Sequence, residues 1–115
     1  MKRNELLYVI DIIENIIMIE NSTKGVSFAD FLNNLELRDA TIRRLEIIGE
    51  ACRNISRQTR ESHPEVEWSG AIGTRDRVLH QYFRIDFDVV WNVLKKDLPA
   101  LKKQMERIKK ELADE

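Results

Sequence analysis

From Trp91 to Leu112 apolar residues recur at Trp91, Leu94, Leu98, Leu101, Met105, Ile108 and Leu112, stepping by three, four, three, four, three and four. Only a helix brings residues at that spacing to one side, because a turn takes 3.6 residues and a strand would require alternation by two. The stretch therefore specifies a long helix beginning near Phe87, with an a/d seam that packs inside a bundle or against a second chain. Pro99 falls within it and lacks the N–H that a helix interior uses. A kink is expected there, or a restart capped by Asp97 with Pro99 in the first turn. Lys102 with Glu106, and Glu106 with Lys110, are spaced to pair along the outer face.

The same period recurs upstream. Leu6, Leu7, Ile10, Ile13 and Ile17 predict a first helix from about Asn4 to Glu20, ended by the Asn21 to Gly25 turn. Ser27 is placed to cap a short helix over Phe28 to Leu35. Ile42, Leu45, Ile48, Cys52 and Ile55 form one face of a helix running from about Arg38 to Ser62. Gly49 sits mid-helix, where it costs about 1 kcal/mol relative to Ala, so a neighbouring helix is expected to approach closely there. Pro64 marks a break, with His63 read as a surface loop residue. A third helix begins raggedly between Trp68 and Thr74, among Ser69, Gly70 and Gly73, and carries the segment RDRVLHQYF. No strand-like alternation stands out. The expectation is an all-α, up-and-down bundle of four to five helices in a single domain over residues 1–115.

Charge and cysteine content narrow the function. The formal net charge is -1, which excludes the overall basic field of a bulk nucleic-acid binder. Between Gly25 and Leu94, however, every cation is arginine, the residue suited to bidentate phosphate contacts. Cys52 is the only cysteine, so no intrachain disulfide forms, and its place in an apolar stripe reads as a buried small hydrophobe. LLYVIDIIENIIMI is broken by Asp11 and Glu14 and is too short and charged to span a membrane, and no signal-peptide cleavage pattern follows. A cytoplasmic protein is expected.

RDRVLHQYF, Arg75 to Phe83, crowds two arginines, an aspartate, a histidine and a tyrosine into nine residues. On a regular helix Asp76 and His80 share a face, Arg77 adjoins His80, and Arg75 nearly aligns with Tyr82. Arg75 and His80 stand about 140° apart around the axis, within reach of a long arginine arm at a cleft rim. One helix cannot wall a cleft, so a second element or protomer is required. Histidine can give or take a proton near neutral pH, Asp76 can orient it, and Arg75 can hold charge growing on a phosphoryl oxygen. With two His, one Cys and no convincing carboxylate grouping, the segment points to metal-independent acid–base chemistry on a phosphodiester.

The spacing R-x-x-x-x-H-x-Y, here Arg75, His80 and Tyr82, resembles the signature of HepT-like toxins of the HEPN superfamily. IRRLEIIGEACRNIS (Ile42 to Ser56), Trp68, and HQYFRIDFDVVWNVLKKDLPAL (His80 to Leu101) extend the resemblance over most of the chain. It implies a helical bundle that dimerises with its two motifs facing each other and acts as a metal-independent endoribonuclease. Arg75 and His80 would be catalytic, with Asp76 as the supporting polar residue. It also implies a minimal nucleotidyltransferase antitoxin that attaches AMP to the motif tyrosine, here Tyr82. Set against this, His80 alone reads as a core or interface histidine, Tyr82 as a packing residue, and Arg77 and Arg84 as solvated helix-face cations. Arg43, Arg44 and Glu50 receive no function. A non-catalytic module that docks a nucleotidyltransferase or binds nucleotide is the alternative, and a structural helical dimer a third.

Overall fold

The computed structural model describes residues 2–80 and 84–114, and for residues 2–4, 75, 77, 79 and 80 it describes the backbone alone. In chain order the elements are α1 (Lys2–Thr23), α2 (Phe28–Asn33), α3 (Leu35–Asn54), α4 (Arg57–Ser62), α5 (Trp68–Ile72) and α6 (Thr74–Val78). A pair of two-residue strands follows, β1 (Leu79–His80) and β2 (Arg84–Ile85), then α7 (Phe87–Asn92), a π turn (Val93–Asp97) and α8 (Leu98–Ala113). The expected all-α bundle is present, built on three long rods. α1 packs against both α3 and α8. It runs opposite to each: Glu5 near its start meets Ser56 and Thr59 beyond the end of α3, and Glu20 near its end meets Lys102 early in α8.

The seam from Trp91 to Leu112 faces inward. Leu94, Leu98, Leu101, Met105 and Ile108 are buried, and Trp91 and Leu112 are half-buried against the same core. Pro99 acts on the backbone just ahead of it. It cannot donate to the carbonyl of Lys95, and its ring would press on that group. The helix widens by one residue: the N–H of Leu98 donates to Val93 O, five residues back, and Pro99 then sits in the first turn of α8. The expected restart occurs, but Asp97 makes no side-chain cap, and the wider turn replaces it. Lys102 pairs across the bundle with Glu20, Nζ to Oε1 at 2.7 Å, instead of along its own helix.

α1 corrects the expected stripe. The buried residues are Val9, Ile12, Ile13, Ile16 and Ile19, whereas Leu7 is 53% and Ile17 39% exposed. Apolar residues surround most of this helix, so spacing alone does not choose its inner face. α3 follows the expected face, with Leu45, Ile48, Cys52 and Ile55 buried. It stops at Asn54, eight residues before the expected end, and α4 restarts after Ser56, whose hydroxyl accepts from Thr59 N at 3.1 Å. α2 begins after its Ser27 cap as expected and ends two residues early, because Asn34 Oδ1 caps α3 by accepting from Leu37 N at 3.0 Å. Phe31 of α2 packs on Phe87 and Trp91 of α7, with ring centroids 6.2 and 5.2 Å away. Arg38 lies over the Phe87 ring at 4.1 Å while its Nη1 donates to Leu32 O.

The close approach expected at Gly49 is made by α5. A Cβ built on Gly49 would lie 3.3 Å from both Ala71 O and Ile72 O. These are backbone atoms and cannot rotate away. Gly49→Ala gains helix propensity of about 1 kcal/mol and loses about 1–3 kcal/mol to overpacking. The expected outcome is a net loss of stability, read as a melting temperature lowered by several degrees in a thermal melt. A variant as stable as the parent would show that α5 does not seat on α3 in this way.

Candidate active site

Seating α5 on Gly49 fixes where the next short helix begins. Gly73 N donates to Ser69 O, and Thr74 Oγ1 donates to Gly70 O at 3.0 Å. Thr74 and Val78 are buried and hold α6 to the bundle. The helix expected to carry the whole of RDRVLHQYF ends at Val78, and His80 continues in β1. Leu79 pairs with Ile85 and His80 with Arg84 in an antiparallel register. Two bonds made by Asp86 account for the change. Its N–H donates to Val78 O, and its Oδ1 accepts from Val89 N at 3.2 Å to cap α7. The chain must therefore reverse between Val78 and Asp86, which a continuous helix through Phe83 cannot do. The helical alignments expected for Asp76 with His80 and for Arg77 with His80 do not hold, because His80 lies on a strand; the one expected for Arg75 with Tyr82 falls outside the described residues. The minimal ladder also replaces the expected absence of strand.

The backbone of Arg75 lies in α6 and that of His80 in β1, and the side chains of both lie outside the described residues. Tyr82 lies outside them altogether. Asp76 is exposed on α6, and Arg84 is exposed on β2. Asp76 also closes one end of an open groove of about 600 Å³. Arg53 from the end of α3, Arg57, Arg60 and Glu61 of α4, and Trp68, Ser69 and Ile72 of α5 line the rest, with Gly73 at the junction to α6. A separate cavity of about 500 Å³ lies where α3, α5 and α8 meet, floored by Leu45, Ile48, Leu98 and Leu101. None of its described lining residues belongs to the motif.

Two contacts set the arginine-bearing wall. Ser56 N donates to Glu5 Oε1 at 2.7 Å, and Thr59 Oγ1 donates to Glu5 Oε2 at 2.9 Å, so a carboxylate from α1 holds the start of α4. Burial pushes the Glu5 carboxyl up, and the bonds from Ser56 and Thr59 outweigh it, holding Glu5 below the ordinary glutamate value. At the other end of α4, His63 is a clasp instead of the free surface residue expected. Its side chain is 14% exposed, with Nδ1 3.3 Å from Glu65 Oε2 and Nε2 3.4 Å from Glu111 Oε1 of α8. His63 O accepts from Trp68 Nε1 at 2.9 Å, which fixes the indole in the groove wall. Behind the groove, burial pushes the Cys52 thiol up to about 12, opposed by the charge of Arg60, so it is the inert packing residue expected. Glu5, Ser56, His63 and Trp68 were not legible as site-building residues. The cap pattern at Ser56 was available in the sequence, but its partner lies 51 positions away.

The family model described as "Ribonuclease HepT-like" matches residues 12–108. "Probable ribonuclease HepT" of Thermococcus cleftensis is 42% identical over 110 residues, covering 96% of this chain and 100% of its own. "Putative RNase MJ1380" of Methanocaldococcus jannaschii is 40% identical over 105 residues, covering 91% of this chain and 96% of its own. No solved structure matches. Among the described residues, no helix is long and apolar enough to cross a membrane.

The Glu5 clamp carries a pH signature. Its carboxyl is depressed in the folded chain, so the stability it supplies is present above the unfolded value of 4.5 and is lost as pH falls below it. Glu5→Gln should melt lower than the parent at pH 7, with the difference closing as pH falls below 4.5 and the parent's own carboxylate protonates. Melts of both chains across that range test this. A difference independent of pH would mean that Glu5 acts through packing alone.

Proposed function

The chain belongs to the HepT-like ribonuclease family, and from that premise we propose that it is a toxin endoribonuclease whose Arg75 and His80 cleave RNA without a metal. The observation that carries this reading is that the matched range, residues 12–108, contains the whole Arg75, His80, Tyr82 motif. Asp76, within the motif, and Arg84, just beyond it, are exposed. In the proposed reaction the RNA 2′-oxygen attacks the adjacent phosphorus. A neutral His80 takes the proton of the 2′-hydroxyl. The P–O5′ bond breaks, and the leaving oxygen takes a proton from a protonated His80 of a second copy. The products are a 2′,3′-cyclic phosphate and a 5′-hydroxyl. Arg75 stabilises the charge on the non-bridging oxygens, and Asp76 supports the site from α6.

Two copies with facing motifs answer the need for an acid and a base from one histidine per chain. The hairpin strengthens the case for a second wall. With His80 on a strand and Arg75 on the preceding helix, the catalytic pair is not one helical face. We further propose that a nucleotidyltransferase antitoxin silences the site by attaching AMP to Tyr82. The added nucleotide brings bulk and negative charge to the position where an RNA phosphate must sit.

Two experiments test these proposals. In EDTA, with chains confirmed folded and of equal size, the parent should cleave a mixed RNA pool to cyclic-phosphate ends. His80→Ala should be slower by about 10²–10⁴-fold, the usual contribution of general acid–base catalysis. Equal cleavage by both would remove His80 from the mechanism, and an unmodified parent that cleaves nothing would move the nucleotide-binding module ahead. For the modification, incubation with ATP and a cognate nucleotidyltransferase should add adenylyl mass to the parent and none to Tyr82→Phe. A modified Tyr82→Phe chain would place the acceptor elsewhere.

A further inference from the structure

Charge is scarce in this molecule as a field and concentrated as a patch. The chain has 19 cations against 20 anions. Yet between Ala51 and Arg60 there are three arginines and no acid, and the break between α3 and α4 turns all three, Arg53, Arg57 and Arg60, into one groove. Trp68 and Ile72 give that groove an apolar wall, and Asp76 ends it one residue from Arg75. Adjacent Cα atoms are about 3.8 Å apart, so the groove borders the backbone of Arg75, the first residue of the motif.

The surroundings fit a ligand with phosphates along one side and flat, partly apolar groups along the other. The Arg57 Nε to Glu61 Oε2 pair, 3.1 Å, is exposed on both sides, at 85% and 67%. Such a pair is worth little in water and yields readily to a phosphate. Arg60 Nε is buried and without a hydrogen-bond partner among the described residues, leaving a guanidinium held at the groove with part of its capacity unused. Arginine is also the cation whose fork matches phosphate bidentately. The construction is rigid: Glu5 fixes one end of α4, and the His63 clasp fixes the other together with Trp68.

We propose that the Arg53, Arg57, Arg60 and Trp68 groove is a docking track for single-stranded RNA, binding the flank of the substrate whose scissile phosphate reaches Arg75 and His80. This rests on the ribonuclease reading above. It adds to it a substrate-positioning surface outside the motif, built by α3, α4 and α5. Single-stranded RNA is the form that combines a flexible charged backbone with unstacked faces able to lie on an indole.

The test uses the full chain carrying His80→Ala, so that binding is measured without cleavage, and a fluorescently labelled single-stranded RNA followed by anisotropy. Arg53→Gln with Arg57→Gln is compared with Lys24→Gln with Lys103→Gln, which removes equal charge near the opposite end of the bundle. Each phosphate contact to a single strand contributes about 0.7 to the log–log salt slope. The groove pair should therefore lower the slope by about 1.4 and weaken binding about twentyfold at 0.1 M salt, while the distant pair changes both far less. In the cleaving chain the same groove substitutions should raise KM for long RNA far more than they lower kcat. Equal effects from the two pairs, no effect from either, or no RNA binding at all would overturn the proposal. RNA binding through the groove by a chain whose parent does not cleave would instead refute the nuclease reading and leave the docking track standing.

Discussion

Two backbones meet at Gly49, and the placement of the whole motif follows from that contact. The carbonyls of Ala71 and Ile72 lie where any other residue of α3 would carry its Cβ. A mid-helix glycine weakens α3 locally, and the return is a short helix seated directly on a long one. From that seat the chain has only Gly73 before α6 begins, so Arg75 and Asp76 cannot move far from α3. Arg53 stands one turn beyond Gly49 on the same helix, and the groove that joins it to Asp76 spans the same junction. The position of the motif relative to the arginines is thus a consequence of one missing side chain.

What could be read in the sequence was set by how far each determinant lies along the chain. The α8 seam was legible because its period is strict and its polar residues fall between the apolar ones. Gly25, at φ 72°, and the Ser27 cap were legible because each acts within a few residues of itself. The end of α3 was not. Its helical pattern continues through Arg57 and Arg60, but Glu5 draws Ser56 N out of the ladder from 51 positions away. The inner face of α1 was ambiguous for the opposite reason: too many positions are apolar, and tertiary contacts with α3 and α8 make the choice. His63 looked like loop punctuation before Pro64 and proved to be held by a carboxylate 48 positions onward.

At the motif the sequence pointed to chemistry, and the backbone geometry differed from the one expected. Arg75, Asp76, His80 and Tyr82 stood out as chemistry, and their family resemblance is matched over residues 12–108. The helical alignment of Asp76 with His80 failed because Asp86 has two tasks, closing the reversal onto Val78 and capping α7. A helix through Phe83 would have left α7 without that cap. The groove was invisible for a related reason. Arg53, Arg57 and Arg60 were expected on one uninterrupted helix, where they would stand about 40° and 60° from being aligned by the rotation per residue and would read as a solvated stripe. The break at Ile55 folds that stripe into a concavity.

A near-neutral molecule cannot rely on long-range attraction to gather a polyanion, because steering needs a net field and salt shortens its reach to about 8 Å under physiological conditions. Its affinity has to come from contacts made at close range in a fixed geometry. That requirement explains why the cations here are arginines held between structural clamps, while the lysines from Lys95 onward lie mostly on the exposed face of the last helical rod. A lysine stripe on a flexible surface would add charge without direction. An arginine wall whose helix is held by Glu5 at one end and by His63 at the other keeps its cations in one place, so the proposed phosphate contacts would supply register as well as attraction. For the proposed cleavage, which must align a 2′-oxygen, a phosphorus and a leaving oxygen, register is the scarcer quantity.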